Sequence, residues 1–119
     1  MTIKLKELVR IADPNRYKLH LASWNDEDQP LHVFVRDKEE WKGWNSWRGT
    51  TDRFSRDYIF ALIDFYHESD TWLFGGIFKV LSRSSDRYEV ELDPQMQELI
   101  GRLKITLKSD LPPKKWTPS

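Results

Sequence analysis

Tryptophans stand three apart at 41, 44 and 47 in the segment WKGWNSWRGTTDRFSRD, residues 41–57, with Arg48, Arg53 and Arg56 close behind. That pattern suits a flat, electron-rich ligand carried beside phosphates. An indole face offers a stacking surface worth about 1–3 kcal/mol per base. Guanidinium groups grip phosphate oxygens through paired N–H donors. Asn45 could read a base edge, and so could Asp64, a carboxylate suited to accepting from an amino group such as that of cytosine. Asp64 interrupts an apolar run, so it must face water or find a partner. Trp72 and Phe74 would line a pocket floor or simply pack in the core. The tryptophans also fit a helical stripe packed on the fold, with solvated arginines around it. Spacing alone leaves both readings standing.

Other chemistry is poorly represented. His20, His32 and His67 fall into no metal-ligand spacing and read as surface or strand-edge residues. The chain has no cysteine, which excludes disulfides, thiolate metal sites and cysteine nucleophiles. No nucleophile elbow, P-loop or dinucleotide phosphate loop is present, and Gly75-Gly76 does not lead into a helix. Asp64 lacks an evident acid or base partner. The expectation is a chain without catalytic residues, metal or cofactor.

Nineteen basic and nineteen acidic residues leave no net charge, so a nucleic-acid partner would have to be held by a local patch. No apolar run approaches the ~20 residues of a membrane span, and MTIKLKELVR lacks the apolar core of a signal peptide. A cytoplasmic protein with no membrane partner is expected. Six tryptophans, six phenylalanines and four tyrosines are more aromatic residues than a core of this size requires.

The elements that position these residues centre on 57–83. Two apolar runs, 58–66 and 72–81, flank a short polar turn and read as a β-hairpin, because aromatic and β-branched residues suit a pleated surface. Neither run alternates cleanly, which implies burial on both faces or the wall of a small barrel. Gly75-Gly76 would weaken a helix by about 1 kcal/mol each. In a strand the same pair marks a bulge, a barrel corner or close approach by another group.

Before the hairpin, residues 2–11 have near-helical apolar spacing and end at Asp13-Pro14. Residues 17–24 alternate as a first strand, and 31–36 read as a short second one. Residues 37–40 are an acidic helix start, passing through a helical turn into a loop over 41–57. After it, 88–92 alternates as a half-exposed strand. Asp93-Pro94 begins a short helix that Gly101 ends, and 102–107 is a last strand. Five or six short strands with small helices between them imply an α+β fold: a twisted, mostly antiparallel sheet closed into a small β-barrel, with two or three short helices. One domain covers residues 1–108. Residues 109–119 form a Pro-rich tail or linker.

Taken together, WKGWNSWRGTTDRFSRDYIFALIDFYHESDTWLFGGIFKVLSR, DRYEVEL and ELIGRLKI resemble the N-terminal domain of a group of bacterial GIY-YIG nucleases. There a segment like W-x-G-W-x-S-W/Y-R precedes strands like YIFSLI-x-FY and WLFGGIF-x-V, followed by Y-x-V-x-L and L-I-G-R-L-K-I. The likeness covers roughly residues 40–107. It matches Trp41, Trp44, Trp47, Arg48, Phe54, Tyr58, Trp72, Phe74, Gly75, Gly76 and Arg102 without assigning ligand contacts. In such nucleases the upstream domain is thought to recognise the DNA target and the GIY-YIG domain to cut it. This chain carries neither a GIY nor a YIG tripeptide, and its Pro-rich tail reads as a linker towards a downstream domain that is missing. More loosely, the hairpin is similar to PUA-like barrels, including EVE and ASCH domains, which bind RNA or flipped, modified bases in an aromatic pocket.

The resemblance implies a non-catalytic recognition domain for DNA, whose ligand could be a modified base. It would work with a nuclease domain in cis or in trans, as in bacterial restriction. On that reading Trp41, Trp44 and Trp47 stack, Asn45 and Asp64 read edges, Arg48, Arg53 and Arg56 hold phosphates, and Trp72 and Phe74 form the floor. The alternative is a protein–protein interaction module, since aromatic and arginine enrichment also marks interface hot spots.

Overall fold

The structure, a computed structural model, describes residues 2–4, 7, 15–23, 28–46, 57–65, 68, 70–84 and 86–106. Its centre is the expected hairpin. Strand β3 (Tyr58–Asp64) runs antiparallel to β4 (Thr71–Arg83), in register from Tyr58 opposite Lys79 to Asp64 opposite Trp72. Successive strand residues point to opposite faces, yet Ile59, Phe60, Ala61, Leu62 and Ile63 are all buried. The reason is that each face has its own cover. Phe60, Leu62, Phe74 and Ile77 pack with Tyr17, Leu19, Leu103 and Ile105. On the other side, Ile59, Ala61, Ile63 and Phe78 pack with Val33, Trp41 and Val90.

Gly75 and Gly76 sit at a β-bulge. Phe60 pairs with Ile77 and Leu62 with Phe74, so the two glycines together oppose Ala61. A bulge bends its strand and tightens the local twist, and Gly76 has φ +109°, which a side chain would resist. The outer edge of β4 changes partner across this bend. Thr71–Leu73 pair with β6 (Lys104–Thr106), whereas Ile77–Arg83 pair with β5 (Tyr88–Asp93).

The remaining strands extend the sheet at both ends. β2 (Tyr17–Ala22) lies parallel to β3, and β1 (Thr2–Lys4) lies parallel to β6. The order is β1-β6-β4-β3-β2, with β5 beside β4. The fold is therefore α+β, with a six-stranded, mostly antiparallel sheet. Among the described residues β1 and β2 do not pair with each other, so the described strands do not by themselves close into the expected barrel.

Three local expectations are corrected. Residues 2–4, expected in a helix, form β1, whose partner strand lies about a hundred residues later in the chain. Residues 31–36, expected as a strand, belong to helix α1 (Pro30–Arg36). Proline is at home in the first helical turn, where no intrahelical N–H is needed. In a helix, 30, 33 and 34 turn towards the sheet while His32 and Val35 face out. The helix expected from Asp93-Pro94 is a single 3-10 turn at Gln97–Leu99, and Asp93 instead accepts from the Gln95 backbone N–H at 3.0 Å.

Helix α2 (Lys38–Trp44) follows the expected acidic start. Asp37 caps it by accepting from the backbone N–H of Glu39 at 2.9 Å and of Glu40 at 3.3 Å, a contact worth about 1 kcal/mol. Both helices lie over the sheet face that carries Ile63 and Phe78. The tail expected at 109–119 and the loop at 47–56 lie outside the described residues.

Candidate nucleic-acid interface

The hairpin register places Asp64 directly opposite Trp72 at the turn end of β3 and β4. Opposite residues of an antiparallel pair share a face and lie side by side. Trp72 is half-buried and packs against the cluster of Phe60, Leu62 and Phe74. Asp64 is half-buried as well. Loss of hydration there pushes its carboxyl above the usual aspartate range, and it makes no hydrogen bond or ion pair with any described residue. A carboxyl that pays for burial without a partner is an acceptor held ready beside an aromatic face.

The same end of the sheet carries a cation. Lys104 Nζ lies 4.7 Å from the Phe65 ring centroid and bonds Glu68 Oε1 at 2.6 Å. Three backbone bonds close the turn between the strands: Phe65 N–H to Thr71, Glu68 N–H to Phe65 and Thr71 N–H to Glu68. The turn holds Asp64 and Trp72 in register, so their spacing belongs to the sheet rather than to a loop.

Trp41 is placed differently from the expectation that it stacks on a base. It is 3% exposed, and its Nε1–H donates to the Gly75 carbonyl at 2.9 Å. The ring fills the space left by the glycine, and a Cβ at Gly75 would stand 2.7 Å from Trp41 Cζ2. Trp41 is thus a core residue whose polar edge satisfies a carbonyl at the bulge. Phe74 is fully buried, which makes it core rather than an open pocket floor.

Asn45 is also corrected as an edge reader. It is 2% exposed and both ends of its amide are engaged. Its Nδ2 donates to the Trp41 carbonyl at 2.8 Å, and its Oδ1 lies 2.7 Å from His20 Nδ1. A carbonyl can only accept, so the amino group must face Trp41 and the amide oxygen must face His20. His20 therefore donates from Nδ1. Burial lowers its pKa, with nearby Lys18 acting the same way and the Asn45 bond opposing, so the ring is neutral at neutral pH. His20 lies on β2, the edge strand of the sheet, as a strand-edge residue would, with its ring turned to the buried Asn45. The two residues lie 25 positions apart on different elements, and no local signal links them. His32 is exposed as expected.

Trp44 ends α2 half-buried against the helix-covered cluster, on the sheet face opposite Trp72. The structure brings together Asp64 and Trp72, and separately Trp41 and Asn45. It does not bring Trp44 to Trp72. Trp47, Arg48, Arg53, Arg56 and His67 lie outside the described residues. Among the described residues no three His, Asp or Glu side chains are grouped to hold a metal ion, and no helix is long and apolar enough to cross a membrane. Comparison of the chain with protein-family models, curated proteins and solved structures gave no match.

Proposed function

We propose that this chain is a non-catalytic DNA-recognition domain that reads a base, with modified cytosine the first candidate, at the Asp64–Trp72 end of its hairpin. The observation that carries the reading is the Asp64 carboxyl, half-buried, without a described partner and directly opposite the half-buried Trp72. Trp72 supplies the stacking face and Asp64 accepts from an exocyclic amino group. Arg48, Arg53 and Arg56 supply phosphate contacts and Trp47 a second aromatic surface; Trp44, on the other face, belongs to a separate contact or to packing. The likeness of residues 40–107 to the upstream domain of GIY-YIG nucleases supports the same assignment. In that context the sheet belongs to a small PUA-like barrel, and cleavage is left to a nuclease domain in cis or in trans, in a bacterial cytoplasm.

The test is fluorescence anisotropy with labelled duplexes, unmodified or carrying modified cytosine, at two salt concentrations. Affinity that falls steeply with salt, as counterion release requires, and that favours one modified duplex supports the reading. Absence of binding to every duplex at low salt overturns it and directs attention to a protein partner.

A further inference from the structure

A cleft of about 590 Å³ opens on the helix-covered side of the sheet, between α2, the bulge in β4 and the 3-10 turn. We propose that it is a second, separate binding site, for a small amphipathic anion: an aliphatic or aromatic body carrying one acidic head group. The volume lies in the range of sites that enclose small ligands, which are apolar pockets with a few placed polar groups. Its walls are the Trp41 edge, Phe78, Ile100 and the Gly75 backbone, and its rim carries Val35 and Leu92. These two are 76% and 44% exposed, and among the described residues only Leu81 is a third large apolar side chain left open to that degree. Two of three such exposures at one cleft is a concentration that scattered surface residues do not show.

Charge decides the ligand class. Lys38 and Lys42 stand four residues apart on α2 and both line the cleft, with Glu39 between them. Lys42 Nζ is bonded to Glu39 at 3.2 Å, whereas Lys38 has no ion pair with a described residue. The rim therefore offers one uncommitted ammonium beside an apolar hollow. An acidic head group pairs with Lys38 while its body displaces water from Phe78, Leu92 and Ile100. At the bulge Trp41 packs close over Gly75, and Leu92 and Ile100 close over Gly76, which brings these three side chains to the border of the cleft.

The whole chain is titrated with 8-anilinonaphthalene-1-sulfonate, an aromatic sulfonate whose fluorescence rises in apolar sites. Dodecanoate and dodecyltrimethylammonium then compete for it, with the melting temperature of every variant measured alongside. Saturable one-site binding is expected, with dodecanoate displacing the probe about tenfold better than the cation of the same chain length. Lys38→Glu should cancel that preference, and Leu92→Asp should weaken both competitors; both side chains are exposed, so folding is kept. Asp64→Asn should leave probe binding unchanged. Binding that never saturates, displacement indifferent to head-group charge, or loss on Asp64→Asn but not on Leu92→Asp overturns the proposal.

Discussion

The indole of Trp41 stands where a side chain at Gly75 would have to go, and its Nε1–H holds the Gly75 carbonyl at 2.9 Å. Helix and bulge are therefore built for each other. A Cβ at Gly75 would lie 2.7 Å from Trp41 Cζ2 and 3.1 Å from Ile63 Cδ1, both in the core. Gly75→Ala is expected to cost about 1–3 kcal/mol through overpacking, seen as a lower Tm by circular dichroism. Gly43→Ala is the contrast. Nothing lies within 4 Å of its added Cβ, so the gain in helix propensity, up to about 1 kcal/mol, should raise Tm.

Asn45 joins two elements through His20 and the Trp41 carbonyl, and its truncation strands both groups in the interior. Asn45→Ala is expected to cost about 1–3 kcal/mol. Denaturant titration with an unchanged m-value would show the loss as one of stability alone.

The burial of His20 makes stability depend on pH. Burial lowers the pKa of His20 in the folded chain, so the unfolded chain binds a proton more readily. Its contribution is complete above the ordinary histidine value of about 6.5 and is lost as pH falls towards the folded value. Tm should therefore drop as pH falls below about 6.5, and His20→Gln should flatten that slope. An unchanged slope in the variant would show that other groups carry it.

Asp64 works in the opposite sense. Its folded pKa is raised by burial, so the protonated carboxyl favours the fold in acid and that advantage disappears as pH rises through the folded value. At neutral pH the buried charge is a cost. Asp64→Asn is expected to raise Tm at pH 7, with the difference shrinking towards the ordinary aspartate value of about 4. The same substitution removes the proposed acceptor and should weaken DNA binding, so stability and function separate in one variant.

The hairpin was legible because its signals are local: aromatic and β-branched runs, a polar turn, and two glycines that only a bulge explains. Burial of Ile59 through Ile63 on both faces matches the lack of alternation in that run. Helix α1 was misread because Val33, Phe34 and Val35 are β-branched and aromatic residues that also suit a strand. Pro30 ahead of them and the cap at Asp37 behind were the better evidence. β1 could not be read locally, since its partner β6 is at the far end of the chain. Among the candidate residues, spacing marked Trp41 and Asn45 as unusual but could not separate ligand contact from core. A close approach to Gly75 and a bond to His20 decide that, and both are tertiary. Asp64 was legible as a charge within an apolar run, and its place opposite Trp72 followed from the hairpin register.

The proposed site assigns DNA reading to Trp72 and Asp64 and not to the buried Trp41. The most direct measurement is the DNA affinity of Trp72→Leu, Asp64→Asn and Trp41→Phe by anisotropy at low salt, with each Tm recorded. Loss of a stacked base costs about 1–3 kcal/mol, or roughly tenfold in affinity for each 1.4 kcal/mol. We expect that loss for Trp72→Leu and a comparable one for Asp64→Asn. Trp41→Phe should lower Tm and leave affinity near that of the parent protein. Parent-like binding by both Trp72→Leu and Asp64→Asn, with affinity lost only in Trp41→Phe, would contradict the account.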